Sequence, residues 1–158
     1  MKKWIPHVTV AAVVKTNVDG QQKYLMVEET INNNLVINQA AGHWENNESI
    51  IDAVKRETLE ETSYIVEPSF LVGIYNWTIP QNENARPSID TFLRFTFYCD
   101  LVNKTDSPLD PDINQFLWLN EQEIRSEKYP KRNPLVLQSL DDYLAGKNFP
   151  LNQFIDIK

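Results

Sequence analysis

The stretch Gly42–Tyr64, GHWENNESIIDAVKRETLEETSY, decides how this chain folds. It follows a strand-like run that ends at Gly42, and Ser49 with Asp52 forms an S-x-x-D signal for the start of a helix. Three carboxylates then occupy positions i, i+3 and i+4 of the predicted helix: Glu57, Glu60 and Glu61. Side chains at that spacing share one face of a helix. The stretch therefore predicts a loop, a helix and a cluster of carboxylates.

The phase of the predicted helix distinguishes a binding face from a solvated face. At about 100° per residue, the apolar residues Ile50 and Val54 lie within about 60° of Glu57, and the other two carboxylates lie in the same sector. A solvated face is the commoner role of a Glu-rich stretch, but it would lie opposite the apolar stripe. Like charges this close repel each other, and a hard divalent cation is the simplest compensation. The phase therefore favours metal binding over a structural charged face.

The composition is that of an ordinary globular domain. The 158 residues include 42% hydrophobic and 23% charged residues, so we expect a single domain over residues 1–158. The net charge of −7 excludes a general nucleic-acid binder, because binding to a phosphate backbone requires a basic surface. A small phosphorylated metabolite or nucleotide is compatible with this charge, since local basic groups and a metal decide its binding.

The cysteine content and the N-terminal region indicate a cytoplasmic protein. Cys99 is the single cysteine and cannot form an internal disulfide, as is typical of the reducing cytosol. The apolar run near the N-terminus is interrupted by Pro6 and His7 and is too short to span a membrane. We expect no membrane partner, and a monomer or weak homodimer.

Strand and helix signals alternate along the chain. We expect strands over six runs: His7–Lys15, Lys23–Thr30, Leu35–Ala41, Tyr64–Ile79, Thr91–Leu101 and Phe116–Leu119. Turn residues at Asp19–Gly20 predict that the first two strands form a hairpin. Helices are expected over Ser49–Ser63, after a cap at Asn120, and from Pro134 to Ala145.

These elements predict a mixed α/β fold, with helices on both sides of one sheet. Thr91–Leu101 alternates well and is the expected central strand. Pro80–Ser88, with two prolines around QNENAR, is the most loop-like segment of the chain. Loops of this kind often carry specificity, so we expect this segment to shape a binding pocket.

The stretch Gly42–Tyr64 resembles the Nudix box, which reads glycine, five residues, Glu, seven residues, then Arg-Glu-U-x-Glu-Glu-x-Gly-U, with U bulky and apolar. All its charged positions are filled here: Glu48, Arg56, Glu57, Glu60 and Glu61. Two positions differ, since Thr58 replaces a bulky apolar residue and Ser63 replaces the glycine that ends the helix. Ser63 can adopt the left-handed conformation of a helix end at some cost in free energy. The resemblance implies a Nudix fold, an α/β/α sandwich around a mixed β-sheet.

Similarity to one Nudix subfamily, the NudJ-type phosphatases, extends along nearly the whole chain. It is carried by PHVTVA at Pro6–Ala11, VEETIN at Val27–Asn32, NQAAGH at Asn38–His43, FLRF at Phe92–Phe95, RNPLV at Arg132–Val136 and FPL at Phe149–Leu151. Those enzymes remove phosphate from nucleoside di- and triphosphates, thiamine pyrophosphate and its hydroxymethylpyrimidine precursor. Ala40 stands where the subfamily usually has a proline, and Pro80–Ser88 is longer than expected. The resemblance implies a Mg²⁺-dependent phosphohydrolase with substrates of this kind.

The resemblance also implies a role for each residue of the box. The implied ligands of Mg²⁺ or Mn²⁺ are the carboxylates of Glu57, Glu60 and Glu61 and the backbone carbonyl of Ala41. One of these glutamates, or a carboxylate from another loop, is the implied base, and its identity stays open. Arg56 and Glu48 are implied to support the site through charge-paired hydrogen bonds. Asp112 lies where relatives often place another acid, and Asp110 is close by, although loop capping explains both at least as well.

The candidates for substrate binding are Trp77, Arg94, His43 and Arg132. Trp77 can stack on a base or belong to the core of the sheet, and Trp44 and Tyr75 leave the same alternatives. Arg94 lies in an otherwise apolar strand, where a buried cation needs either a phosphate or a structural carboxylate. For His43 and Arg132, contact with phosphate and simple solvation are both open.

Two other functions stay open. A Nudix pyrophosphatase would cut an internal anhydride, as in ADP-ribose or dinucleoside polyphosphates, and would release two phosphorylated fragments. A ligand-sensing Nudix module would bind without catalysis, but such modules usually lack box glutamates that are all present here.

Overall fold

The computed structural model describes residues 4–80 and 90–157. Eight strands occur in these residues: His7–Val13 (β1), Lys15–Val18 (β2), Gln21–Ile31 (β3), Asn34–Asn38 (β4), Ala40–His43 (β5), Tyr64–Thr78 (β6), Thr91–Lys104 (β7) and Ile113–Leu119 (β8). The helices described are Ile50–Thr62 (α1), Glu121–Arg125 (α2), Leu135–Leu144 (α3) and a 3₁₀ turn at Leu151–Gln153. Except for Pro80, the predicted loop Pro80–Ser88 lies outside the described residues.

The strands form two four-stranded sheets. Sheet 1 has the order β5-β1-β7-β6, and it is mixed because β1 and β7 run parallel while the other neighbours run antiparallel. Sheet 2 is built around β3, which pairs antiparallel with β2, β4 and β8. The predicted mixed α/β class and the central position of the Thr91–Leu101 strand are confirmed. The single sheet expected from the sequence is instead divided in two.

The predicted strand His7–Lys15 is divided between the two sheets. β1 ends in sheet 1, and β2 begins two residues later in sheet 2. Between them, the Val14 carbonyl accepts a hydrogen bond from the Leu25 N–H at 2.9 Å, so the crossing stays paired. The predicted turn at Asp19–Gly20 is confirmed, with φ of 51° and 77°, but its hairpin joins β3 to β2 rather than to β1.

Helices cover sheet 1 on both sides. On one face, Val10 of β1 packs with Val54 of α1 in a buried cluster. On the other face, Val13 of β1 belongs to a second cluster that includes Val136 of α3. Alternate residues of one strand therefore face two different helices, and the predicted α/β/α layering is confirmed. Within the described ranges, none of the helices combines the length and apolar character needed to cross a membrane.

Both ends of α1 are capped, the start as the sequence predicts and the end in the left-handed conformation that the sequence left as one of two possibilities. At the start, the Ser49 hydroxyl accepts a hydrogen bond from the Asp52 N–H at 2.9 Å. At the end, Ser63 has a left-handed φ of 62°, and its N–H donates to the Leu59 carbonyl at 2.9 Å. The Ser63 carbonyl then accepts the Thr105 N–H at 2.8 Å. Serine is tolerated in place of the glycine because these contacts hold its strained conformation.

The short helix α2 begins with the cap predicted at Asn120. The Asn120 side chain accepts the Glu123 N–H at 2.8 Å, and the Glu123 carboxylate accepts the Asn120 N–H at 2.8 Å. This reciprocal capping box satisfies two donors that a helix start otherwise leaves free. Because Ile124 of the same helix is buried in the second core cluster, the cap fixes α2 against the core.

We predict that Asn120→Ala lowers the free energy of unfolding by about 1 kcal/mol, because the capping oxygen is lost. Urea unfolding followed by circular dichroism measures the change. Asn120→Ser keeps a capping oxygen and is the matched control, which should retain most of the stability. An alanine variant as stable as the wild type would contradict the role of the cap.

Candidate active site

One arginine of α1, Arg56, organises the carboxylates of this site. Its Nε and Nη2 donate to the two oxygens of Glu48 at 2.9 and 2.8 Å, which makes a bidentate pair. Its Nη1 donates to Glu57 at 2.8 Å and to Glu60 at 3.1 Å. Its Nη2 also donates to the His43 carbonyl at 3.0 Å, so all five N–H donors of the guanidinium are used. Arg56 thereby joins the helix to the loop that precedes it.

Glu48 is the partner that anchors this arginine. Its Oε1 also accepts the Glu45 N–H at 2.9 Å, and its carbonyl accepts the indole N–H of Trp44 at 3.0 Å. The Arg56 guanidinium lowers the pKa of the Glu48 carboxyl below its ordinary value. Glu48 is therefore ionised at neutral pH, and the ion pair persists. Trp44 serves the structure of this loop.

Glu61 is buried against the edge of β5. It is 8% exposed, and its Oε2 accepts the Ala41 N–H at 2.9 Å. Burial raises the pKa of the Glu61 carboxyl to about 9, and the charges of Glu57 and Glu29 add to the increase. Glu61 therefore holds a proton at neutral pH unless a positive charge compensates it. Since the N–H and C=O of one strand residue point to the same side, the Ala41 carbonyl lies on the edge that Glu61 faces.

Glu57 packs directly over the glycine of the box. A Cβ at Gly42 would lie 2.1 Å from the Glu57 carboxyl carbon, so only glycine allows this approach. Burial raises the pKa of Glu57 above its ordinary value, although the hydrogen bond from Arg56 opposes the change. The Glu60 side chain is more exposed, at 46%, and its backbone carbonyl accepts the Asp110 N–H at 2.8 Å. Glu57 and Glu61 are therefore the two desolvated carboxylates of the helix.

A cavity of about 270 Å³ opens beside these carboxylates. Ala41 and Gly42, which contact Glu61 and Glu57, form part of its wall. All four predicted substrate-binding residues also line it: His43, Trp77, Arg94 and Arg132. They come from β5, β6, β7 and the segment before α3, so residues far apart in the sequence converge on one site.

Arg94 is a buried cation in the wall of this cavity. It is 5% exposed, its Nε donates weakly to Thr9 Oγ1 at 3.4 Å, and its Nη1 has no hydrogen-bond partner in the part of the chain that the structure describes. Burial, followed by the charge of Arg132, lowers the pKa of Arg94 to about 10, so it stays charged at neutral pH. Arg132 itself pairs with Glu29 at 3.2 Å. No ion pair among the described residues includes Arg94, although the charges of Glu29 and Glu61 favour its cationic form.

The chain is similar to known proteins along most of its length. The NUDIX domain model matches residues 5–140. Phosphatase NudJ of Escherichia coli K12 is 36% identical over 152 residues, which cover 96% of this chain and 92% of that protein. The chain belongs to the Nudix family. It is a hydrolase of phosphoanhydride bonds and resembles the NudJ-type phosphatases.

Solved Nudix structures share the fold. A NUDIX hydrolase from Nitrosomonas europaea superimposes with a TM-score of 0.86 at 42% identity, covering 97% of this chain and 98% of that one. The NUDIX domain of Shewanella oneidensis NrtR, solved with ADP ribose, has a TM-score of 0.67 at 16% identity, covering 91% and 90%. At that lower identity the likeness shows the Nudix fold alone.

The cavity beside the box carboxylates is also lined by residues that the sequence does not single out: Thr9, Glu29, Asn38, Ile79, Phe92 and Asn133. One oxygen each of Glu29 and Asn38 is buried without a hydrogen-bond partner among residues 4–80 and 90–157. Thr9 and Phe92 occupy the same sheet face as Arg94, since Thr9 pairs with Arg94 across β1 and β7. The alternation of side chains along β1 and β7 could have identified Thr9 and Phe92 from the sequence. That inference is possible only if the two strands are known to be neighbours.

Asp110 and Asp112 shape the loop before β8. The Asp110 carboxylate accepts the Asp112 N–H at 2.9 Å, which is the loop-capping role considered from the sequence. The charge of Asp110 also contributes to the raised pKa of Glu61, so Asp110 lies near the carboxylate cluster. A metal-binding role for either aspartate stays a prediction.

The box carboxylates have the chemistry that a divalent cation needs. Within the described ranges, no three His, Cys, Asp or Glu side chains are arranged so that they could hold a metal ion as they stand. Arg56 occupies oxygens of Glu57 and Glu60, and the Ala41 N–H occupies one of Glu61. Burial nevertheless raises the pKa values of both Glu57 and Glu61, although Arg56 already pairs with Glu57. Mg²⁺ or Mn²⁺ fits these oxygen donors once the side chains reorient.

We predict that the metal-free protein loses stability as the pH rises from about 5 to about 9. Glu61 has a pKa of about 9 when folded and an ordinary value of 4.5 when unfolded. In this window the folded state holds one more proton than the unfolded state, so the free energy of unfolding falls by at most about 1.4 kcal/mol per pH unit. Glu61→Gln removes this contribution, and its stability should rise relative to the wild type as the pH increases.

Guanidinium unfolding in EDTA, near pH 6 and near pH 8.5, measures that difference. Glu67→Gln, on the exposed side of β6, is the matched control and should give a difference that hardly depends on pH. If the stability difference between Glu61→Gln and the wild type stays constant across the range, Glu61 is not a buried, protonated acid.

We also predict that Gly42→Ala lowers kcat by about 100-fold, because its Cβ displaces the Glu57 carboxylate by about an ångström or more. Steady-state kinetics on a nucleoside diphosphate measures the effect. Gly20→Ala is the control, since a Cβ there meets nothing within 4 Å and only its positive φ is strained. It should change stability but leave kcat unaltered, and equal kcat for the Gly42→Ala variant and the wild type would contradict the packing role of Gly42.

Proposed function

We propose that this Nudix hydrolase is a Mg²⁺- or Mn²⁺-dependent phosphohydrolase. Its substrates would be nucleoside di- and triphosphates and diphosphates resembling thiamine pyrophosphate, from which it releases phosphate. The observation that carries the proposal is that desolvated acids and a buried arginine both lie near the Ala41–Gly42 backbone. Glu57 and Glu61 lie on one side, and Arg94 lines the cavity on the other. A divalent cation suits the acids and a phosphate suits the arginine.

The cation would be held by the box carboxylates and one backbone oxygen: Glu57, Glu60, Glu61 and the carbonyl of Ala41. When bound, it supplies charge neutralisation for the phosphates. Hydrolysis of a phosphoanhydride needs this neutralisation and an aligned water more than a covalent nucleophile. Arg56 and Glu48 hold the helix against the loop, so that the carboxylates keep their positions. Glu57 or Glu61 is the candidate that accepts the proton of the attacking water.

The phosphate chain would lie along the basic wall of the cavity. Arg94 offers Nη1, which has no hydrogen-bond partner among the described residues, and a phosphate oxygen would satisfy this donor. Arg132 adds a second positive charge, partly balanced by Glu29. His43 lines the same cavity and can donate to phosphate from its ring. These residues would bind the substrate beside the carboxylates, whereas Trp77 would contact its organic part.

We further propose a single domain over residues 1–158, a cytoplasmic location, and a monomer or weak homodimer. The net charge of −7 supports a small phosphorylated partner rather than a nucleic-acid polymer or an anionic membrane surface. Light scattering of the purified protein would test the oligomeric state directly.

A product screen tests the reaction. Purified protein with Mg²⁺ is given nucleoside di- and triphosphates, thiamine pyrophosphate and ADP-ribose, and its products are separated by chromatography. Orthophosphate from the first three supports the proposal. Two phosphorylated fragments from ADP-ribose would instead identify a pyrophosphatase, and binding without turnover would identify a sensing module.

We predict that Glu57→Gln and Glu61→Gln each lower kcat by about two orders of magnitude or more, because each loses a charged ligand for the cation. Circular dichroism should show an intact fold for both. Glu67→Gln makes the same change at an exposed position paired with Lys55 and should keep full activity. Near-wild-type turnover by both box variants would refute the metal assignment.

A further inference from the structure

Three aromatic side chains form a row across sheet 1. His7 of β1 pairs in register with Phe92 of β7, and Phe92 pairs with Trp77 of β6. The His7 and Phe92 rings stack with centroids 4.8 Å apart and planes 18° apart. The Phe92 and Trp77 rings are 5.7 Å apart and tilted by 31°. Because Phe92 and Trp77 line the cavity, the row supplies part of its wall.

This aromatic row does not serve the hydrophobic core. Neither Phe92 nor Trp77 belongs to the core clusters of the described residues, and all three rings keep contact with solvent. The His7 ring is held in place from two directions, by a 3.1 Å hydrogen bond to His43 and by the Asp90 carboxylate at 3.7 Å. The row is therefore positioned without being buried, which is typical of a binding wall.

The register of sheet 1 places the row in line with the rest of the site. Ala41 pairs with Ala11, and His43 pairs with Thr9, which in turn pairs with Arg94. Arg94 thus lies two residues along the strands from the level of Ala41, and the aromatic row lies four residues along. At 3.3 Å per residue these steps are about 7 Å and about 13 Å. The order along the sheet is carboxylates, arginine, aromatic rings.

This order matches the order of groups in one class of molecule. A heterocycle joined to a diphosphate or triphosphate presents a charged end near a cation, a phosphate in the middle and a planar ring at the other end. The cavity volume of about 270 Å³ lies near the lower end of the roughly 300–1,000 Å³ of most small-molecule sites. Stacking on aromatic side chains holds rings of any base because each has a π-face.

We propose that the row of His7, Phe92 and Trp77 determines specificity by binding a planar heterocycle of a di- or triphosphate substrate. The inference rests on the proposed function, because it assigns the organic end of the same substrate. The proposal adds Phe92 and His7 to the site and assigns Trp77 to the heterocycle of the substrate. Inorganic tripolyphosphate has no ring, so its binding should not depend on the aromatic row.

Trp77→Ala tests the proposal through the split between KM and kcat. For a nucleoside diphosphate and for thiamine pyrophosphate, KM should rise roughly ten-fold or more with little change in kcat, since stacking is lost but the reacting groups stay in place. For inorganic tripolyphosphate, KM and kcat should stay at wild-type values. Trp77→Phe keeps a ring and should restore most of the affinity, and it also controls for misfolding of the alanine variant.

Trp4→Ala is the matched control, because Trp4 is exposed and lies outside the cavity lining. A second measurement needs no turnover: calorimetric titration of ADP into wild type and Trp77→Ala in EDTA. Loss of ADP binding in the Trp77→Ala variant supports a role of the aromatic row in binding the ring. This holds even if the wild type hydrolyses none of the diphosphates, a result that would refute the proposed function alone. Equal effects on ringed and ringless substrates, or unchanged KM and ADP binding, would overturn the inference while the hydrolase assignment stands.

Discussion

The bidentate pair between Arg56 and Glu48 is the constraint on which the rest of the site depends. A helix and a preceding loop carry no intrinsic preference for one mutual position, and this pair supplies it with two hydrogen bonds of fixed geometry. The remaining donors of Arg56 reach the His43 carbonyl and two box carboxylates. The arginine therefore sets the loop, the cavity wall at His43 and the direction of Glu57 at once. Lysine, with a single nitrogen, cannot make this set of contacts.

The arrangement leaves a desolvated acid and a desolvated arginine near the Ala41–Gly42 backbone. Glu61 is buried with a raised pKa, and Arg94 is buried with an unused donor. Each is unfavourable for the stability of the folded protein, because a desolvated charge or an unpaired donor costs free energy. The charge of Glu61 favours the cationic form of Arg94, but burial of Arg94 outweighs this effect and lowers its pKa. A metal bound to a phosphorylated substrate would relieve both together, so ligand binding would stabilise the folded protein.

The sequence predicts those parts of the molecule that are determined by residues close together in the chain. The carboxylate helix follows from its phase, its ends follow from Ser49 and Ser63, and the hairpin turn follows from Asp19–Gly20. The division of His7–Lys15 between two sheets could not be predicted, because a continuous run of β-branched residues does not mark the point where a chain changes sheets. Thr9 was missed for a related reason. It joins the site through a partner 85 residues away, Arg94, and strand pairing of that kind is set by the whole fold.

The residues proposed to bind the cation and those proposed to choose the substrate differ in how far the sequence reveals them. Residues that would hold the cation lie within one short stretch, so a single pattern identifies them and with them the reaction class. Residues that would choose the substrate lie on β1, β6 and β7, and each alone is an ordinary strand residue. His7, Phe92 and Trp77 lie in one row only because a parallel pair and an antiparallel pair of strands align them, and this row would form the proposed binding wall. A substitution at one of these positions can therefore alter the preferred ring without touching the carboxylates, which is why one hydrolytic helix can serve many substrates on this fold.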